Sequence, residues 1–307
     1  MIQGWLKTPE EYYNDQQIES INNTMLNELT MNKATTFVVN EIYYFKIWYS
    51  NLKEEEKNKF KNLLNEKRVE FVSGSYIIND EANALYYNIA DQIRIGHQFL
   101  LEEFGIIPKT AWYIDSFGHS AGNAHILAQF NFENLVLGRM HTDFLELMKN
   151  ELKTEFYWDP FGNKNSRKKI LTHVLPLHYG FALFFNDLDS RNDNFQNRLK
   201  NILEQLMKHL KEAYTGLRHN NIMFLFGDDF KYKDNNLFLN IESIINAFIN
   251  NRNTGISIEK LKNILGTNES IRVFYSTPEK YFNSVKNELK KNNKELETYT
   301  NIDFLID

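Results

Sequence analysis

The feature of this sequence that most constrains its fold is an alternation of short β-rich runs with longer segments of helical periodicity. The predicted strands are residues 35–42, 70–79, 110–115, 134–140, 170–180, 221–230 and 271–278. The predicted helices are roughly residues 9–30, 53–66, 84–104, 121–130, 192–215, 238–251 and 278–291. Such alternation favours a mostly parallel sheet, or an irregular (β/α) barrel, with helices around it. Because no repeat or clear linker interrupts the pattern, we expect residues 1–307 to form one α/β domain.

Charge and composition exclude several classes of protein. The net charge of −5 argues against a dedicated nucleic-acid-binding surface, which is usually basic. The absence of cysteine excludes disulfides and thiolate metal sites. No apolar run is long enough to span a bilayer, and the N-terminus lacks the basic leader and apolar segment of a signal peptide. We therefore expect neither a nucleic-acid partner nor a membrane segment in this chain.

Polar side chains follow nearly every predicted strand. They are Glu41, Asn79 to Glu81, Asp115, Arg139, His178 with Tyr179, and Asp228 with Asp229. Sites in parallel α/β folds form at the carboxyl ends of strands, so this recurrence indicates a polar pocket rimmed by carboxylates. Two carboxylates facing one pocket suit glycoside hydrolysis. The residues by themselves leave two classes open, a carbohydrate-active enzyme and a metal-assisted hydrolase.

A set of ordered motifs resembles one known family. The segment WYIDSFGHS (112–120) resembles the nucleophile motif of glycoside hydrolase family 38, with Ser116 in place of the usual proline. Similar segments follow the family's order: GWLKT (4–8), EFVSGSYIINDEA (70–82), GR (138–139), LPLHYG (175–180), FGDDF (226–230) and FYSTPEKYF (274–282). The resemblance covers essentially the whole chain. The Asn-Asp-Glu-Ala and Tyr-Ser-Thr-Pro segments look more like the lysosomal-type branch than the Golgi-type branch.

The resemblance implies a retaining α-mannosidase that removes terminal α-linked mannose from N-glycan-type oligosaccharides, in the lysosome or another secretory-pathway compartment. Asp115 would be both the nucleophile and a zinc ligand, and Asp229 would be the acid/base. The implied substrate-binding residues are Trp5, Phe117, Arg139, Tyr179 and Asp228, the last at a position that varies within the family.

The zinc site is where the sequence departs from the family's pattern. The family holds zinc with a His-x-Asp pair before the GWLKT segment, with the nucleophile, and with a distant histidine. Here Ile2 stands at the position of that Asp, and the two histidine positions fall before Met1 and beyond Asp307. Asp115 alone remains, whereas such sites need about three protein ligands. We therefore expect a catalytic domain truncated at both ends, without helical bundle and β-domains, and inactive by itself.

Two other functions stay open at this point. A zinc-dependent carbohydrate deacetylase of related architecture should show a His-x-x-x-His ligand pair, which the sequence lacks. A non-catalytic sugar-binding remnant would keep Trp5, Phe117 and Tyr179 without turnover. Two further residues have structural interpretations: His119 is expected to order its loop rather than bind metal, and Glu41 either orients the site or caps the next helix.

Overall fold

The computed structural model describes residues 7–81, 84–162, 168–180, 194–250, 258–268 and 270–304. The strands in these ranges are β1 (Phe37–Val39), β2 (Val69–Phe71), β3 (Thr110–Tyr113), β4 (Asn134–Leu137), β5 (Glu155–Asp159), β6 (Ile170–Val174) and β7 (Thr298–Thr300). The helices are α1 (Pro9–Asp15), α2 (Ile18–Met31), α3 (Ile42–Asn51), α4 (Glu54–Asn65), α5 (Tyr86–Phe104), α6 (Ala121–Gln129), α7 (Thr142–Asn150), α8 (Phe195–Thr215), α9 (Asn236–Asn250), α10 (Ile258–Leu265) and α11 (Pro278–Lys291). None of these helices is both long and apolar enough to cross a membrane.

The strands form two sheets that Ser73 links. β1 and β2 make a parallel pair, and the larger sheet has the order β3-β4-β6-β5-β7. The Ser73 amide donates to the Thr110 carbonyl at 2.8 Å, and the Trp112 amide donates to Ser73 Oγ at 2.8 Å. β3, β4 and β6 run parallel, whereas β5 is antiparallel to β6. The prediction of a mostly parallel α/β fold with surrounding helices is confirmed.

Apolar residues cover both faces of the larger sheet. On one face, residues such as Tyr113, Leu135 and Val174 pack with α5 and α6 side chains in one buried cluster. On the other face, Trp112 and Val136 belong to a second cluster that includes the apolar side of α11. β3, β4 and β6 are therefore buried on both faces, as is usual for parallel sheets.

Two of the predicted strands are absent, and two strands were not predicted. Residues 221–228 and 271–277 are described but contain no strand. The neighbouring position on β6, where a further parallel strand would pair, is occupied by β5 in antiparallel pairing, and β7 pairs with the other edge of β5. Hydrophobic patterning shows which runs can enter a sheet, but it does not show which edges are already taken.

Element boundaries also differ from the predictions. The predicted strand 70–79 stops at Phe71, because the chain turns at Ser73 and Gly74, both of which have positive φ. The predicted strand 35–42 stops at Val39, because α3 begins at Ile42. Helices α3, α7 and α10 were not predicted. The predicted helix 192–215 begins at Phe195 in the structure, and residues 192–193 lie outside the described ranges.

A buried carboxylate on β5 ties together four parts of the fold. Glu155 is 2% exposed and accepts hydrogen bonds from His173 Nδ1 at 2.8 Å, from the Tyr281 hydroxyl at 2.5 Å, and from His219 Nε2. His219 Nδ1 in turn accepts from the Asn221 amide at 3.1 Å, so the proton of the neutral ring lies on Nε2. Burial alone would raise the pKa of Glu155, but the histidine hydrogen bonds outweigh it and lower that pKa to about 2. The cluster connects β5, β6, the segment after α8, and α11.

Candidate active site

The parallel register brings three chain segments to one edge of the sheet. Tyr113 pairs with Leu137, and Leu137 pairs with Val174, so β3, β4 and β6 end at the same level. The residues that follow these strands include Asp115, Arg139 and Tyr179. A cleft of about 890 Å³ opens there. Its lining includes the predicted site residues Glu41, Asp115, Tyr179, Asp228 and Asp229.

Asp115 is held by Arg139. Arg139 Nε donates to Asp115 Oδ1 at 2.7 Å and to the Asp115 carbonyl at 3.1 Å, and a terminal guanidinium nitrogen also donates to Oδ1. The Asp115 side chain keeps 52% of its surface exposed, so the pairing fixes the carboxylate without enclosing it. A half-exposed carboxylate with a positive charge beside it is suited to attack an electrophile in the cleft.

The ring of Phe117 also contacts the Arg139 guanidinium. The Arg139 guanidinium carbon lies 4.4 Å from the centroid of the Phe117 ring, within the range of a cation–π contact. Phe117 and Arg139 both lie beside Asp115 but outside the lining of the cleft. The structure therefore brings them to the nucleophile candidate, and any contact of Phe117 with a sugar stays a prediction.

Asp229 lies in the same cleft, close to two other acidic side chains. The Tyr179 hydroxyl donates to Asp229 Oδ1 at 3.3 Å. Burial raises the pKa of Asp229, and the negative charges of Asp228 and Asp115 raise it further. The hydrogen bond from Tyr179 and the nearby His178 act in the opposite direction without cancelling the rise. A carboxyl group that retains its proton to higher pH than usual is suited to general acid catalysis.

The loop that carries Tyr179 fits closely against the loop that carries Asp228. A Cβ added at Gly180 would lie 2.8 Å from Asp228 Oδ1, so only glycine fits there without a shift. His178 stacks on Tyr179 with ring centroids 4.3 Å apart, and its Nδ1 accepts from the Gly180 amide at 3.1 Å. These contacts fix the position of the Tyr179 ring relative to the two aspartates.

Glu41 is a third site carboxylate whose role the sequence left open. It lines the cleft at the N-cap of α3, but its side chain makes no capping hydrogen bond. Instead Oε1 accepts from the Ile78 amide at 3.3 Å. Burial raises the pKa of Glu41, and the charge of Asp229 adds to that rise. The geometry therefore places Glu41 with the site rather than with the helix end.

The described residues do not fit a zinc site. Across these residues, no group of three or more His, Asp or Glu side chains is arranged to hold a metal ion. Asp115 is the one predicted ligand, and its Oδ1 already accepts two hydrogen bonds from Arg139. Trp5, the remaining predicted substrate-binding residue, lies outside the described residues.

The contacts of Glu81 at this site were missed from the sequence. Its carboxylate accepts from the Ser120 amide at 2.6 Å, from Ser120 Oγ at 2.9 Å, and from Asn123 Nδ2 at 2.9 Å. Glu81 was noticed only as one of the polar residues after a predicted strand. The sequence carries no direct signal of these contacts, because Ser120 and Asn123 lie about forty residues beyond Glu81 along the chain.

Comparisons with known proteins bear on the family and the fold of the chain. The family model described as the glycosyl hydrolases family 38 N-terminal domain matches residues 3–302. A lysosomal alpha-mannosidase from Dictyostelium discoideum is 32% identical over 296 residues, which are 92% of this chain and 28% of that protein. An alpha-mannosidase from Canavalia ensiformis is 30% identical over 251 residues, which are 75% of this chain and 25% of that protein. This chain thus spans about a quarter of the length of these relatives.

A solved structure shows the same fold. The crystal structure of an alpha-mannosidase from Enterococcus faecalis V583 matches with a TM-score of 0.65 at 14% identity, over 95% of this chain and 28% of that one. An identity this low bears on the fold alone. The family match over residues 3–302 carries the assignment, and the chain belongs to glycosyl hydrolase family 38.

Proposed function

We propose that this protein is a retaining α-mannosidase that removes terminal α-linked mannose from N-glycan-type oligosaccharides. The observation that carries the proposal is the presence of Asp115 and Asp229 in one cleft with different environments. Asp115 is half-exposed against Arg139, whereas burial and two neighbouring carboxylates raise the pKa of Asp229. Retaining glycosidases need such a pair, with one group ionised and the other protonated.

In the first step, Asp115 acts as the nucleophile. One of its carboxylate oxygens forms a bond to the anomeric carbon of the mannose while the bond from that carbon to the glycosidic oxygen breaks. Asp229 transfers its proton to the leaving oxygen, so the departing sugar leaves as a neutral alcohol. The mannose remains attached to Asp115 as an ester.

In the second step, Asp229 changes from general acid to general base. Its carboxylate takes a proton from a water molecule, whose oxygen forms a bond to the anomeric carbon while the ester bond to Asp115 breaks. Asp229 is then protonated, Asp115 is again a carboxylate, and two inversions have retained the α configuration.

The neighbouring residues have supporting roles in this scheme. Arg139 orients the Asp115 carboxylate. We propose that Tyr179 and Asp228 hydrogen-bond sugar hydroxyls, and that Trp5 and Phe117 contact the apolar face of the ring. Zinc has no step here, because the described residues supply only Asp115 of the ligands that the family resemblance implies.

The relatives also suggest a cellular compartment and a domain organisation for this chain. The similarity to a lysosomal alpha-mannosidase supports a place in the lysosome or another secretory-pathway compartment. We propose that residues 1–307 belong to a single α/β catalytic domain, a proposal supported by the family model that spans residues 3–302.

The proposal is tested by assaying the natural full-length protein with aryl α-mannosides, with aryl β-mannosides and aryl α-glucosides as controls. We expect hydrolysis of the α-mannoside alone, with α-mannose as the first product by proton NMR. Initial β-mannose would show an inverting enzyme. Release of acetate from acetylated sugars, without glycoside cleavage, would favour a deacetylase. Binding of mannose without turnover would indicate a sugar-binding remnant.

A further inference from the structure

The backbone that carries Arg139 is strained and closely packed. Arg139 has a φ of +25°, in the region that residues with side chains seldom adopt. It follows Gly138, where an added Cβ would lie 1.9 Å from the Ile114 carbonyl oxygen. The turn therefore presses against the residue before Asp115, and a strained backbone persists only where surrounding contacts hold it.

His119 supplies one such contact. Its Nε2 lies 3.0 Å from the Gly138 carbonyl oxygen and 3.0 Å from the Arg139 carbonyl oxygen. Because carbonyl oxygens only accept, Nε2 must carry a hydrogen and share it between the two. The His119 side chain has no exposed surface. One buried N–H group thus binds both carbonyls of the strained turn.

The position of His119 is itself fixed from two directions. Its amide donates to the Phe304 carbonyl at 2.8 Å, and the Phe304 amide donates to the His119 carbonyl at 2.8 Å. The ring nitrogen Nδ1 lies 3.8 Å from Glu81 Oε1 and makes no hydrogen bond to any part of the chain that the structure describes. Glu81 is anchored in turn by Ser120 and Asn123. The backbone of His119 is therefore held in place independently of Arg139.

We propose that His119 is a positioning residue that holds Arg139 against Asp115. The Nε2 hydrogen keeps both turn carbonyls on the side of His119, and this fixes the backbone of Arg139. The guanidinium then meets Asp115 Oδ1 and the Asp115 carbonyl at the same time. The inference deepens the proposed function, because it concerns the nucleophile of that reaction. The contact between His119 and Arg139 can nevertheless be tested without turnover.

Loss of the donor should release the turn. Without Nε2–H, the Gly138 and Arg139 carbonyl oxygens lose a partner, and Arg139 can relax towards an ordinary φ. The guanidinium would then leave Oδ1, and Asp115 would lose its orientation. A misplacement of about 1 Å in a reacting group costs as much as about 100-fold in rate.

The experiment compares His119→Phe, which keeps a ring but removes the donor, with His119→Gln, which places an amide donor near the Nε2 position. His97→Phe is the matched control, because His97 is also buried and its Nε2 lies 2.9 Å from a backbone carbonyl, that of Ser73. The structural readout is solvent exchange of the Arg139 Nε–H by proton–nitrogen NMR in the 307-residue chain. The second readout is kcat and KM of the natural full-length protein on an aryl α-mannoside.

We expect His119→Phe to lose exchange protection of the Arg139 Nε–H and to lower kcat about 10- to 100-fold with little change in KM. His119→Gln should restore most of both. His97→Phe should lower the urea midpoint by a similar amount but leave both Arg139 readouts unchanged.

Full protection of Arg139 Nε–H in His119→Phe would overturn the proposal, as would equal loss in His97→Phe. If His119→Phe does not fold, the test rests on His119→Gln, which retains a donor. Loss of Arg139 Nε–H protection in a folded His119→Gln would contradict positioning through Nε2. A wild-type protein without turnover would refute the proposed function, but the NMR result would still decide whether His119 holds Arg139.

Discussion

The Tyr179 hydroxyl donates a 3.3 Å hydrogen bond to Oδ1 of Asp229, the carboxyl group that we propose as the acid/base. This hydrogen bond lowers the pKa of Asp229, whereas burial and the charges of Asp228 and Asp115 raise it. The net direction is upward. The tendency of Asp229 to keep its proton is thus set by neighbours that act in opposite directions.

Asp228→Asn and Tyr179→Phe should therefore shift the pH profile in opposite directions. The basic limb of kcat/KM reports loss of the proton from the general acid. Asp228→Asn removes a charge that raises the pKa of Asp229, so the limb should move to lower pH. Tyr179→Phe removes a hydrogen bond that lowers this pKa, so the limb should move to higher pH. Asp143→Asn, an exposed acid on α7, is the control and should shift nothing. Shifts of the same sign in both site variants would contradict this account of Asp229.

Zinc should bind weakly to the 307-residue chain. Asp115 is the one predicted ligand present, and the described residues hold no cluster of three potential ligands. Calorimetric titration with Zn²⁺ should give no tight one-to-one isotherm, and Asp115→Asn should give the same heats as the wild type. Tight stoichiometric binding that Asp115→Asn abolishes would show that the chain completes a metal site around this residue.

Glu70 should make the fold more stable in acid. Burial raises its pKa from 4.5 to about 7, although its carboxylate accepts from the Glu279 amide at the start of α11. Because the folded-state pKa lies above the unfolded value, the unfolded chain releases this proton first as pH rises. The free energy of unfolding should thus fall between pH 4.5 and 7, by up to about 3 kcal/mol. The measurement is urea unfolding across this range.

Glu70→Gln should remove this part of the pH dependence. Glu102→Gln, a change at an exposed acid on α5, is the matched control and should retain it. An unchanged slope in Glu70→Gln would show that Glu70 titrates normally in the folded chain.

Glu155→Ala should destabilise the fold strongly. It leaves the buried donors of His173, His219 and Tyr281 without their acceptor, at a cost of about 3 kcal/mol or more in the free energy of unfolding. Because the folded-state pKa of Glu155 is about 2, below the unfolded 4.5, its contribution is complete above pH 4.5 and is lost as pH falls towards 2.

Glu151→Ala is the control for this prediction. Glu151 pairs with Lys153 at 2.8 Å near the surface, and its loss should change stability by about 0.5 kcal/mol or less. Equal effects of the two substitutions on urea unfolding would mean that the Glu155 cluster adds nothing beyond a surface ion pair.

The sequence predicted the polar residues that follow strands better than it predicted the strands. Asp115, Arg139 and Tyr179 were found because a parallel register brings the ends of β3, β4 and β6 to one edge. The failed strands at 221–230 and 271–278 have the same apolar character as the strands that formed. In the structure, β5 rather than either of these segments pairs with the edge of β6, and local patterning does not record which segment takes an edge.

The hydrogen bonds that orient the site were also beyond the sequence. The expectation that His119 orders its loop agrees with its bonds to Gly138 and Arg139, but the partners lie about twenty residues away along the chain. The sequence left open whether Glu41 orients the site or caps the next helix, and in the structure it lines the cleft. In both cases the residue type was informative, and the direction of the side chain was set only by the fold.

The most direct test of the proposed mechanism separates the two aspartates in the natural full-length protein. The substrate is an aryl α-mannoside with a good leaving group, which needs little acid assistance in the first step. Asp229→Ala should release a burst of the leaving group and then stall, because no base activates water, and intact-mass analysis should find one mannosyl adduct on Asp115. Asp115→Ala should show neither burst nor adduct. A burst from Asp115→Ala, or an adduct on any residue other than Asp115, would contradict the assignment of the nucleophile and the acid/base.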